Sequence, residues 1–106
     1  MTDFVELFLT CEDRAEAEKI ADALLLQHLV ACVKFEQVHS KFWWKGKIEE
    51  GDEVKISMLS VAENFDRIEA EVAKLHSYET FVLQAIPIQK LNAAAAEWLA
   101  ENTKTE

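Results

Sequence analysis

The chain has 106 residues, half of them hydrophobic and 29% charged, so it is long enough for one packed domain and too short for two. Eleven basic residues against twenty acidic ones give a formal charge of −9, a surface that repels phosphate backbones and anionic lipid. Nucleic acid and membrane are therefore not expected as partners, and with only two glycines and one proline there is little material for long loops.

Phe4 to Thr10 is a short apolar run that reads as a buried strand. Asp13 followed by Glu16 resembles a capping box, and Ala17, Ile20, Ala21 and Leu24 then recur at helical spacing, with the helix ending near His28. Leu29 to Val33 forms a second strand that continues through Phe35 and Val38. Lys45-Gly46-Lys47 supplies a turn, and Glu53 to Val61 alternates apolar and polar residues as a half-buried strand does. Ser60 with Glu63 is a second capping-box pattern, ahead of a helix whose stripe is Phe65, Ile68, Val72 and Leu75. Phe81 to Ile88 is the last strand, with Pro87 at an edge or an end, and Ala93 to Glu101 is a short C-terminal helix. The order β-α-β-β-α-β plus a helix describes a single α+β domain over residues 1–106, a ferredoxin-like sandwich with an extended central hairpin.

No glycine-rich phosphate loop, C-x-x-C pair or H-E-x-x-H is present, and the chain is not expected to be an enzyme; a catalytic role for Cys11 or His76 is the least favoured reading. Cys32 lies in an apolar strand and reads as a small core residue. Cys11 stands between the first strand and the first helix, where it reads as a plain loop cysteine or, because a helix dipole favours a thiolate there, as a soft-metal ligand. His28 ends the first helix and complements its dipole, and His39 is a surface residue of the hairpin. His76 follows the second helical stripe and precedes Ser77, Tyr78 and Glu79, a polar cluster that reads either as a helix cap or as a ligand site. Phe42, Trp43 and Trp44 are adjacent, and neighbours on a strand face opposite ways, so one indole is either exposed to solvent or covered by another subunit, and a partner surface is the favoured reading. Two cysteines do not make a disulfide framework, no apolar run approaches twenty residues, and Asp3 and Glu6 stand where a secretion signal has basic residues; the expected location is the cytoplasm.

The run Leu29-Val30-Ala31-Cys32-Val33, the segment from Ser40 through Trp43-Trp44-Lys45-Gly46-Lys47-Ile48, the block His76-Ser77-Tyr78-Glu79 and the later Trp98-Leu99 together resemble the CutA divalent-cation-tolerance family. The resemblance implies a ferredoxin-like subunit in a homotrimer, with Phe42, Trp43 and Trp44 at the interface, and binding of copper or another divalent cation. It also implies that His76 and Glu53 lie near the metal. The family cysteine falls at Leu9, two residues before Cys11, which becomes the candidate sulfur ligand. A second reading makes the protein a trimeric scaffold or small-ligand sensor, with Tyr78, Glu79 and nearby lysines receiving an anionic metabolite.

Overall fold

The computed structural model describes residues 3–104. Strand β1 (Phe4–Cys11) buries Val5, Leu7, Leu9 and Cys11 and leaves Phe4, Glu6, Phe8 and Thr10 half-buried on the other face. This period of two decides which side of the sheet the helices cover. Helix α1 (Arg14–Leu26) lays Ala17, Ile20, Ala21 and Leu24 on that side, and helix α2 (Phe65–Leu75) adds Ile68 and Val72. They pack over Leu7, Leu9, Ile56 and Met58, all at or below 1% exposure. Each such side chain contributes roughly 1.5–3 kcal/mol through burial.

Strands β2 (Cys32–Trp44), β3 (Lys47–Val61) and β4 (Leu83–Pro87) complete an antiparallel sheet of order β2-β3-β1-β4, so β2 and β4 are its edges. This is the expected ferredoxin-like α+β sandwich. A short C-terminal helix, α3 (Ala93–Asn102), buries Leu99. Pro87 sits at the end of the edge strand β4, where its missing N–H costs no ladder bond.

Several boundaries differ from the sequence reading, for local reasons. Helix α1 ends in a Schellman motif: the Leu29 N–H donates to the Leu24 carbonyl and the His28 N–H to the Leu25 carbonyl, each at 3.0 Å. His28 takes the left-handed position with φ 57°, and its Nδ1 donates to the Asn102 carbonyl at 3.1 Å, so it ties α3 to α1. The Leu29 carbonyl accepts from Ser60 Oγ at 2.5 Å and Asn64 Nδ2 at 3.1 Å. With both backbone groups engaged, Leu29 is fully buried but not in a strand, and β2 starts only at Cys32. Cys32 itself is half-buried, not a core residue.

Ser60 still belongs to β3 and faces inward, so the second capping box does not form; one 3-10 turn (Ala62–Asn64) leads into α2. The first box forms by half. Asp13 Oδ1 accepts the Glu16 N–H at 2.9 Å, but Glu16 does not return the bond to Asp13. Strand β3 begins six residues before Glu53, at Lys47, because its pairing with β2 runs without a break to Trp44 opposite Lys47. Lys45 (φ 50°) and Gly46 (φ 81°) close the hairpin, and both central positions of such a turn demand a positive φ. Strand β1 ends opposite Val54, so the hairpin beyond that point projects from the body of a molecule measuring 45 × 25 × 20 Å.

Candidate functional site

The end of β1, the start of α1 and the C-cap of α2 meet at one point. Cys11 is the last residue of β1 and points inward with Leu9, as the strand period requires. His76 caps α2, its N–H donating to the Val72 carbonyl. Its buried ring is held from two sides. Nε2 lies 2.8 Å from the Thr10 carbonyl, which only accepts, and Nδ1 lies 3.0 Å from the Tyr78 N–H, which only donates. These partners assign the neutral ring with its proton on Nε2. The ring stacks on Phe81 at 5.3 Å and tilts against Tyr78 at 4.7 Å.

Glu16 completes the cluster, with Oε1 lying 3.8 Å from His76 Nδ1. Its carboxylate accepts the Glu12 N–H at 2.7 Å and the Ser77 N–H from across the fold. Burial pushes the Glu16 carboxyl up, but the hydrogen bonds from Glu12 and Ser77, with the neighbouring His76, hold it below the ordinary value. Ligand atoms of Cys11, Glu16 and His76 all lie within 4.8 Å of one another. Sulfur, imidazole nitrogen and carboxylate oxygen form a set suited to a borderline transition metal. The His76 ring has the orientation such a ligand needs, its far N–H anchored on a backbone carbonyl. Taking a metal on Nδ1 exchanges the bond from the Tyr78 N–H for the metal bond. The Cys11 thiol meets the opposite environment from the expected one. Burial, then the charges of Glu16, Glu53 and Asp13, push it up to about 12, so it is protonated until a cation displaces the proton.

Of the residues proposed from sequence, Cys11 and His76 come together. Glu53 lies within electrostatic reach of Cys11, but its Oε2 accepts from the Tyr78 hydroxyl at 2.5 Å, outside the three-residue cluster. Burial, and then the bond to Glu53, raise Tyr78 above the ordinary phenol value, so it remains the donor. Glu16 was visible in the sequence only as a cap residue. Phe42, Trp43 and Trp44 are 42%, 73% and 36% exposed on the hairpin. Together with Tyr78 they border a groove of about 900 Å³ beside the cluster. Its charged lining is Glu49, Glu50, Glu53 and Glu79 against the single Lys41, a composition that disfavours the anionic metabolite of the second reading.

Fold and site thus define a ferredoxin-like α+β protein with a mixed S/N/O donor cluster where β1 meets both sheet-covering helices. The chain belongs to the CutA1 divalent ion tolerance protein family, whose model matches residues 5–102. It is 36% identical over 98 residues to the divalent-cation tolerance protein CutA of Archaeoglobus fulgidus, covering 92% of this chain and 96% of that one. Its identity to the protein of the same name from Pyrococcus horikoshii is 30% over 98 residues, with the same coverage of each. The solved structure of the Archaeoglobus protein superposes with a TM-score of 0.91, covering 98% of this chain and 100% of that chain. The family is defined by ion tolerance, not by a reaction.

The cytoplasmic expectation does not hold, because that Archaeoglobus structure is of a periplasmic divalent cation tolerance protein. Cysteine usage was a poor guide to compartment for a geometric reason. Cys11 is level with Val54 of β3 and Cys32 with Leu59, five positions apart along the strand and on opposite sides of it. That separation, roughly 17 Å along the strand, is far beyond the ~7 Å a disulfide spans, so the two thiols cannot pair with each other within one chain in either redox environment. None of the described helices is long and apolar enough to cross a membrane.

Proposed function

We propose that this protein binds a divalent cation through Cys11, Glu16 and His76, that copper is the ion the site favours, and that the working form is a homotrimer. The observation that carries the reading is the convergence of three different donor atoms within 4.8 Å, around an imidazole already oriented by Thr10. A thiol and an imidazole favour copper or zinc over calcium or magnesium, and the general affinity order places copper(II) above zinc. The tolerance names of the relatives agree with a metal role. The trimer is supported by the exposed aromatic hairpin and by the sheet edges at β2 and β4, which a single subunit leaves unpaired.

Native mass spectra of the reduced protein, before and after one equivalent of copper with zinc as the redox-silent control, test both parts. The expected result is a trimer that retains one metal per chain. His76→Ala should lose the metal and keep the trimer, and Glu16→Gln should weaken binding at least about tenfold. A trimer that takes up no metal, or a His76→Ala variant that binds as before, overturns the site. A monomer overturns the assembly.

A further inference from the structure

Two consecutive backbone N–H groups cap the donor cluster. The Ser77 N–H donates to Glu16 Oε1 and the Tyr78 N–H to His76 Nδ1, the latter at 3.0 Å, so both hydrogens face side chains that a cation would use. A carboxylate oxygen has lone pairs for two partners, whereas the imidazole nitrogen has one. The ring cannot turn aside to free it. Its side chain is buried, Nε2 is anchored 2.8 Å from the Thr10 carbonyl, and the ring stacks on Phe81. The Tyr78 amide is therefore the part that must move. Tyr78 is held at its other end too, because its hydroxyl donates to Glu53 Oε2 at 2.5 Å. Glu53 stands next to Val54, where β1 ends and β3 runs on into the hairpin. One residue thus reaches from a ligand nitrogen to the root of the hairpin.

From this geometry we infer that Tyr78 is a latch that passes occupancy of the metal site to the hairpin. In the closed arrangement it holds His76 and Glu53 at once. A cation on His76 Nδ1 expels the Tyr78 N–H, turns the Ser77–Tyr78 peptide and breaks the hydroxyl bond to Glu53. The inference rests on the metal reading of Cys11, Glu16 and His76, and it adds a regulation to that site. Amide and hydroxyl let go together because they belong to one residue, and a hydrogen bond weakens steeply once it is stretched or bent. The bond to Glu53 stabilises only the closed arrangement, so it opposes the cation and lowers the affinity of the site. By linkage the cation loosens the bond to Glu53 by the same factor. Removing the phenol oxygen alone should therefore tighten metal binding, the reverse of what loss of a ligand or of a packing group does.

Tyr78 is the single tyrosine of the chain, which makes the latch directly observable. The whole protein, labelled with meta-fluorotyrosine, is titrated with zinc, or with copper(I) should zinc not be retained; both ions are diamagnetic. The one fluorine resonance should move to a second position at one equivalent of metal. In protein labelled with nitrogen-15, exchange of the Tyr78 amide should speed up at least about tenfold on metal addition while the amides of β1 stay protected. Tyr78→Phe, which keeps the ring and the backbone N–H, should bind the metal about threefold to tenfold more tightly, the worth of one hydrogen bond lost from the closed arrangement. The two NMR readouts need no substitution and decide the matter if Tyr78→Phe does not fold. Metal retained with an unmoved fluorine signal and a still protected Tyr78 amide overturns the latch and leaves the site standing. Unchanged or weaker affinity in a folded Tyr78→Phe variant does the same. Retention of neither ion overturns the latch and the site together.

Discussion

Cys11 has the chemistry of a guarded ligand. Its sulfur is fully buried, and burial followed by three nearby carboxylates keeps it a thiol. Reagents that attack thiolates should therefore find it inert in the folded protein. In a Cys32→Ser background, labelling of Cys11 at pH 7 should be at least about a hundredfold slower than in denaturant, with a rate set by opening of the fold. Fast labelling in the native state would show that the end of β1 is not closed as described. The same environment explains what sequence reasoning missed. A cysteine beside a helix start suggests a lowered pKa, but a strand residue pointing inward is buried before the helix dipole can act on it. Glu16 was hidden differently. Its role three residues after Asp13 is a local pattern, whereas its bond to the Ser77 N–H joins positions 61 residues apart, which no spacing rule reports.

At the scale of elements, the hairpin carries a histidine clamped between acids. His39 Nδ1 lies 2.8 Å from Asp52 Oδ1, its cross-strand neighbour, and Nε2 lies 2.8 Å from Glu50 Oε1 on the diagonal. Both carboxylates only accept, so both ring nitrogens donate and the ring is an imidazolium. The bonds to Asp52 and then Glu50 raise His39 above its ordinary 6.5. A raised folded-state value means that the stabilisation is fully present below the unfolded pKa and fades as pH rises through the folded one. The ring is solvent-exposed, so the effect on global stability is small and sensitive to salt. NMR titration of the His39 ring should give a midpoint above 6.5 that drops in Asp52→Asn; a midpoint unmoved by that change would deny the clamp. Elements with a clean period, β1 and α2, were legible in the sequence because burial on one face is what writes that period. Leu29 and Val30 were not, because an apolar run looks the same whether a strand ladder or side-chain donors satisfy its backbone, and here Ser60 and Asn64 do so at Leu29.

For the whole molecule, the unresolved demand is apolar surface. Trp43 and Ile48 are cross-strand partners at the hairpin tip, 73% and 63% exposed, and Val82 and Ile86 beside the opposite sheet edge are 63% and 48% exposed. A domain of this length gains little margin from its own core, so covering these side chains by association adds stability that a monomer lacks. The proposed trimer therefore predicts a coupling between tryptophan burial, assembly and unfolding. Light scattering coupled to gel filtration should give a mass near three times 12.1 kDa, and the unfolding midpoint should rise with protein concentration. Trp43→Glu places a charge where the partner would bury an indole. It should shift the mass toward the monomer and cost at least about 2 kcal/mol of association free energy per contact. The same substitution leaves the interior of β1, α1 and α2 untouched, so a folded monomer with native helical dichroism is the informative product. A trimer that tolerates Trp43→Glu would move the interface away from the hairpin tip, leaving the edges at β2 and β4 to hold the subunits together.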